Sequence, residues 1–154
     1  MTLKTYESYM QPDIEAFFCC CFTALGWEYE PDSHEADTLS IPDVYQSAGQ
    51  FWCLYDTEML VGTVAVRAID PMGQTAELKR LYVRPDRQGE GWGELLFTTA
   101  LRFAKEAGFQ TIRADTERSR AASRHLMRKH GFREIPRYND NDFAELFFEL
   151  EVSS

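Results

Sequence analysis

Leu81-Tyr82-Val83-Arg84-Pro85-Asp86-Arg87-Gln88-Gly89-Glu90-Gly91-Trp92-Gly93 is the stretch that decides how this chain folds. An apolar run enters it, three of the chain's nine glycines fall in its last five residues, and an amphipathic segment leaves it. In that segment Leu95/Leu96, Phe103/Ala104 and Ala107 keep one helical face, and Gly108 supplies the stop. A strand therefore passes through a glycine loop into a helix. Backbone N–H groups in a first helical turn have no internal partner, and glycines let a phosphate approach them closely. Gln88 to Gly93 thus suits a pyrophosphate, with Arg84 and Arg87 adding positive charge. The same pattern also serves as a plain change of chain direction. A Walker loop is excluded, because it needs Lys-Ser/Thr where Glu94-Leu95 follows. A dinucleotide-binding Rossmann loop would open the fold at its first strand, whereas this one follows a three-strand meander.

That meander is legible upstream. Phe51 to Tyr55 and Met59 to Ile69 form strands joined by Asp56-Thr57-Glu58, and Thr75 to Val83 follows the turn Asp70-Pro71-Met72-Gly73. Nearer the N-terminus, a short strand at Leu3 to Tyr6 precedes a helix capped by Asp13. Ile14, Phe17, Phe18, Cys21, Phe22 and Leu25 recur along it at helical spacing, and Gly26 ends it. A short helix is expected near Asp43 to Ser47. Downstream come a strand at Thr111 to Asp115, a helix from Ala121 to His130 stopped by Gly131, and a closing strand from Ala144 to Val152. In that strand Ala144, Leu146, Phe148, Leu150 and Val152 share one side. A meander, a βαβ crossover, then helix and strand make an α+β (mixed α/β) fold. No linker or repeat divides it, so residues 1–154 are expected to form a single domain.

Composition limits what such a domain does. The 154 residues are 44% hydrophobic and 27% charged, enough for a core without disulfides or metals. A formal net charge of -9 opposes broad association with nucleic acid or anionic membrane. No run approaches the roughly 20 apolar residues of a membrane span, and MTLKTYESYM lacks the features of a signal peptide, so a cytoplasmic protein is expected. Cys19, Cys20 and Cys21 are adjacent and cannot all face one tetrahedral metal. With Cys53 they are expected to be reduced, packed thiols. His34, His125 and His130 show no ligand spacing, so no metal is expected. Charge is also segregated. Eight acids and no Lys or Arg lie between Asp13 and Asp43, while Lys79, Arg80, Arg84 and Arg87 crowd the segment around the glycine loop.

The stretch from Leu81 to Gly93 is similar to the acetyl-CoA signature of the GNAT N-acetyltransferases, in which Gln or Arg is followed by x-x-Gly-x-Gly/Ala, here Gln88, Gly91 and Gly93. Glu77-Leu78-Lys79-Arg80-Leu81 in the strand before it and His130-Gly131-Phe132 after the later helix extend the likeness over nearly the whole chain. The region from Asp115 to Asn141 resembles a bacterial subgroup without an assigned acceptor. The resemblance implies a central, mostly antiparallel sheet with a splayed βαβ acetyl-CoA cleft flanked by helices. It implies direct transfer of an acetyl group from acetyl-CoA to a primary amine in a ternary complex. A non-catalytic acyl-CoA-binding or regulatory module on the same fold is the alternative.

Residue by residue, the resemblance implies that backbone groups of Leu81, Tyr82 and Val83 hold the pantetheine arm like an added strand. Arg87, Gln88, Gly89, Glu90, Gly91, Trp92 and Gly93 would bind the pyrophosphate, and the Leu81 N–H would face the developing oxyanion. A base must take the proton of the amine. Glu77 is either that base or a strand charge paired with Lys79 or a neighbour. The family's usual proton donor to the leaving thiolate is a Tyr at the position of Met127. Tyr138 either replaces it or is a packed aromatic, and a thiolate of pKa about 8.5 also departs unassisted or with a water. Arg120 stands where many members have an Asn that contacts pantetheine. Trp27, Tyr29, Trp52 and Tyr55 either line an acceptor pocket or belong to the core. The acidic N-terminal third either favours a cationic acceptor, a small-molecule amine or a lysine side chain, or only keeps the surface soluble, and a monomer or homodimer is expected.

Overall fold

The computed structural model describes residues 1–152. Seven strands, β1 (Thr2–Thr5), β2 (Gln50–Asp56), β3 (Met59–Ala68), β4 (Thr75–Val83), β5 (Thr111–Thr116), β6 (Arg133–Ile135) and β7 (Leu146–Glu151), make one sheet of order β1-β2-β3-β4-β5-β7-β6. Every neighbouring pair is antiparallel except β4 and β5, which the crossover helix requires to be parallel. The helices are α1 (Gln11–Ala24), α2 (Ile41–Val44), α3 (Trp92–Glu106) and α4 (Ala121–Lys129).

Both faces of the sheet are covered, and the alternation of β2 shows how. Trp52 and Leu54 enter one core with Leu96, Phe97, Ala100 and Ala104 of α3 and Leu126 and Met127 of α4. Phe51, Cys53 and Tyr55 enter the other with Ile14, Phe17, Phe18, Cys21 and Phe22 of α1 and Ile41 of α2. One-residue alternation thus sorts side chains between two helical layers. The turn into β2 admits no side chain at Gly49, where a Cβ would lie 1.8 Å from the carbonyl oxygen of Val66.

Three local expectations change. Asp13 does not cap α1. The helix starts at Gln11, Met10 holds the N-cap position without a side-chain bond, and Pro12 fills the first turn, where a missing N–H costs nothing. Asp13 lies within that turn and accepts a hydrogen bond from the Tyr55 hydroxyl at 2.9 Å. The short helix lies at Ile41–Val44, earlier than expected, again with Pro in its first turn. The last strand begins at Leu146, and the unforeseen β6 pairs with it from Arg133↔Glu149 to Ile135↔Phe147.

Candidate active site

The site begins where two strands part. β4 and β5 pair only over Thr75–Glu77 and Thr111–Arg113, yet β4 runs on to Val83 and β5 to Thr116. Beyond the fork, β4 is bulged. Arg80 and Leu81 together oppose Val64, between the pairs Ala65↔Lys79 and Thr63↔Tyr82. Arg80 has a φ of 55°, a left-handed conformation that costs an arginine about 1–3 kcal/mol and persists only when its surroundings fix it. They do. The buried Thr63 hydroxyl donates to the Arg80 carbonyl at 2.7 Å, and the guanidinium grips Asp37 through Nε–Oδ2 at 2.9 Å and Nη2–Oδ1 at 2.6 Å. Burial alone would raise the Asp37 carboxyl, but Arg80, with the Tyr45 hydroxyl, holds it below its ordinary value.

The fork opens into a cleft of about 600 Å³. Leu78, Leu81, Tyr82, Arg120, Ser123 and Met127 line its sheet-and-α4 side. Trp27, Glu28, Glu30, Glu35, Glu117 and Asp142 are among those lining the rest. Lys79 and Asp115, each two residues beyond the last β4–β5 pair Glu77↔Arg113, bridge the fork at 3.7 Å. Tyr29, Trp52 and Tyr55 are packed in or against the two cores instead.

Past the end of β4 and the glycine loop, no side chain caps α3, and its first internal bond runs from the Leu95 N–H to the Gly91 carbonyl. The N–H groups of the first turn therefore point outward without intrahelical acceptors. Gly91 turns the chain at φ 90°, and a Cβ there would meet nothing within 4 Å. This open, donor-rich cradle fits a pyrophosphate through its backbone, whereas the positive charge expected from Arg84 and Arg87 is already matched, Arg84 by Asp86 at 3.1 Å and Arg87 by Asp56 and Glu90. Glu90 is engaged by Arg87 at 3.4 Å and by the Trp92 indole at 3.0 Å, and Glu94 turns to Lys129 at 2.8 Å. Arg87 also reaches Asp56 at 2.8 Å, and the Gln88 amide donates to the Val83 carbonyl at 3.2 Å.

Glu77 and Tyr138 meet. The Tyr138 hydroxyl donates to Glu77 Oε2 at 2.6 Å, Asn139 donates to the same oxygen at 3.2 Å, and Arg67 holds Oε1 at 2.8 Å. Glu77 is 1% exposed, so it is a buried, fully partnered carboxylate, and Lys79 pairs with Asp115 rather than with it. Burial and the adjacent Glu77 push the Tyr138 phenol well above its ordinary value. The pair lies one step behind the fork, beside a smaller cavity of about 430 Å³. Asn139 ties it to the cleft by donating to Asp115 at 2.6 Å.

A parting parallel pair, a bulge and an uncapped helix after a glycine loop coincide with a family match over residues 12–132, described as the acetyltransferase (GNAT) family. The chain belongs to the GNAT acetyltransferase family. An uncharacterized N-acetyltransferase of Schizosaccharomyces pombe is 30% identical over 94 residues, which are 60% of this chain and 57% of that protein. The chain spans about half the length of the curated relatives it matches. Among solved structures, an acetyltransferase of Streptococcus agalactiae aligns over 97% of both chains with a TM-score of 0.86 and 25% identity. A Salmonella typhimurium protein solved with its cofactor acetyl-CoA aligns over 100% of this chain and 95% of its own, with a TM-score of 0.73 and 20% identity.

Within this GNAT fold, Arg120, already singled out by its position, falls on the cleft, and one further site residue escaped the sequence. Arg120 lies 4.6 Å over the Tyr82 ring and donates to the Leu81 carbonyl at 3.0 Å, on the β4 edge that the fork exposes. Glu35, one acid in a run of eight, is buried in the cleft wall. Nothing local distinguished Glu35 from the other acids of that run. The cysteines are free, and burial pushes the Cys21 and Cys53 thiols up to about 12, which keeps both protonated. Among the described residues, no group of His, Cys, Asp or Glu is arranged to hold a metal, and no helix is long and apolar enough to cross a membrane.

Proposed function

We propose that this chain is an acetyl-CoA-dependent N-acetyltransferase that transfers an acetyl group directly to a primary amine, a small molecule or a lysine side chain. The observation that carries this reading is the fork. β4 and β5 stop pairing at Glu77 and Arg113, the gap between them opens on the cleft, and β4 leads on through the glycine loop to the uncapped N-terminus of α3. Acetyl-CoA supplies an activated acyl thioester. The first-turn N–H groups of α3, with Gln88 to Gly93, hold its pyrophosphate. Main-chain groups of Leu81, Tyr82 and Val83 align its pantetheine arm along β4, and the Leu81 N–H polarises the acyl carbonyl.

The amine attacks only as a free base, so its proton must leave first. We assign that proton to Glu77, reached through solvent in the smaller cavity that it lines, with Tyr138 fixing the carboxylate and the Asn139 amide, which donates to both Glu77 and Asp115, aligning the two without carrying the proton. Tyr138 is a weaker acid than a free phenol and weaker still than a thiol of pKa about 8.5. The thiolate therefore leaves without a strong donor, consistent with the thioether of Met127 in the cleft wall.

Met127 also favours the second reading, a non-catalytic acyl-CoA-binding module. Thiol release from acetyl-CoA across a panel of primary amines separates the two, with amine-dependent release expected. Acetyl-CoA binding by calorimetry with no release on any amine would replace the transferase by the binding module, and tighter binding of ATP than of CoA would replace both.

A further inference from the structure

The acceptor side of the cleft contains a carboxylate that the fold leaves unfinished. Glu35, between α1 and α2, lines the cleft, is only 8% exposed, and its Oε2 is buried without a hydrogen-bond partner. Desolvation pushes its carboxyl up, with Arg80 pulling the other way. The other buried acids here have finished shells. Asp37 is held by Arg80 and Tyr45, Glu77 by Arg67, Tyr138 and Asn139, and Asp115 by Lys79, Asn139 and Asn141. A buried carboxylate oxygen without a partner is costly, and a donor brought by a ligand would remove that cost. Eight acids line this cleft against Arg67, Lys79, Arg80 and Arg120, and the first three of these bases are already ion-paired, so a cationic donor suits the site best.

We propose that Glu35 binds a second, non-reacting cationic group of the acceptor, which makes small diamines the preferred substrates. A carboxylate in contact with an amine keeps it protonated, and a protonated amine does not attack, so the group on Glu35 is not the one acetylated. That distinction rests on the transferase reading; the binding site itself does not. A cleft of about 600 Å³ accommodates a short alkyl diamine beside a thioester.

Calorimetric titration of the full chain with 1,5-diaminopentane, pentylamine and 5-aminopentanoate tests the site without turnover. The diamine is expected to bind at least tenfold more tightly than pentylamine, and Glu35→Gln is expected to erase that difference while acetyl-CoA affinity stays within twofold. Glu35→Asp, which keeps the charge one methylene short, should fall between. In turnover the Glu35→Gln loss should appear as a tenfold or larger rise in KM for the diamine. Equal diamine affinity in wild type and Glu35→Gln overturns the proposal, as does a collapse of kcat with every amine, which would mark Glu35 as the proton acceptor. Glu35-dependent diamine binding with no thiol release would leave the site standing and remove the transferase. Thiol release indifferent to Glu35 would do the reverse.

Discussion

Arg80 stays in a left-handed conformation because Asp37 answers its guanidinium with two oxygens, so the geometry of the bulge depends on one carboxylate far away in sequence. Both side chains are mostly buried, and removing one partner of such a pair leaves an uncompensated charge. Asp37→Asn should cost about 3–5 kcal/mol at pH 7 in urea unfolding. The pH dependence follows from the lowered native pKa of Asp37. Its contribution is complete above the ordinary carboxyl value of about 3.9 and disappears as pH falls toward the lower native value. Wild type should therefore lose this increment as pH falls below about 3.9, and the variant should not. Equal acid sensitivity of the two proteins would show that the clamp is not the source. Met127 makes the opposite point at the same scale: it lines the cleft but has no proton to give. Met127→Leu should keep steady-state turnover within a few-fold, and Met127→Tyr should raise it. A loss beyond tenfold with Leu in a normally folded protein would place Met127 in the chemistry.

Among the elements, α3 and the loop before it are expected to control cofactor affinity. Gly91 at φ 90° is the N-cap, and a β-branched side chain there is strained and displaces the first N–H groups. Gly91→Val should weaken acetyl-CoA binding at least tenfold by calorimetry, with Gly91→Ala intermediate; unchanged affinity would contradict the cradle. The long elements were legible because their signals are local. β4 was expected at Thr75 to Val83 and forms there, since its apolar alternation and flanking turns need no distant partner. β6 was not legible. It has three residues, Ile135 its only apolar one, and it depends on Arg133 reaching Glu149 at 2.6 Å. The environment of Glu77 was hidden for the same reason, because Arg67, Tyr138 and Asn139 arrive from β3 and from the segment after β6. The splay of β4 from β5 was implied by the resemblance, and the bulge behind it is fixed by tertiary contacts of Thr63 and Asp37, which no local pattern shows.

At the scale of the molecule, the chain's net charge of -9 is spread unevenly around one cleft. Glu28 and Glu30 line it, with Asp32 on the exposed segment between them and Glu35. These three act on an approaching acceptor through the field, whereas Glu35 acts by contact, and salt separates the two. The screening length shrinks from about 30 Å at 0.01 M to about 10 Å at 0.1 M, while buried pairs are screened much less. The kcat/KM for 1,5-diaminopentane should fall several-fold over that interval, and that for 2-methoxyethylamine, which has no second charge, should fall less. Neutralising Glu28, Glu30 and Asp32 together (Glu28→Gln, Glu30→Gln, Asp32→Asn) should flatten the salt dependence for the diamine. Glu35→Gln should instead lower the diamine's kcat/KM at both salt concentrations and leave the slope intact, because a buried contact is not what the salt removes. A slope that survives the triple variant would mean that the acidic segment serves solubility alone, and the cationic preference would then rest on Glu35 by itself.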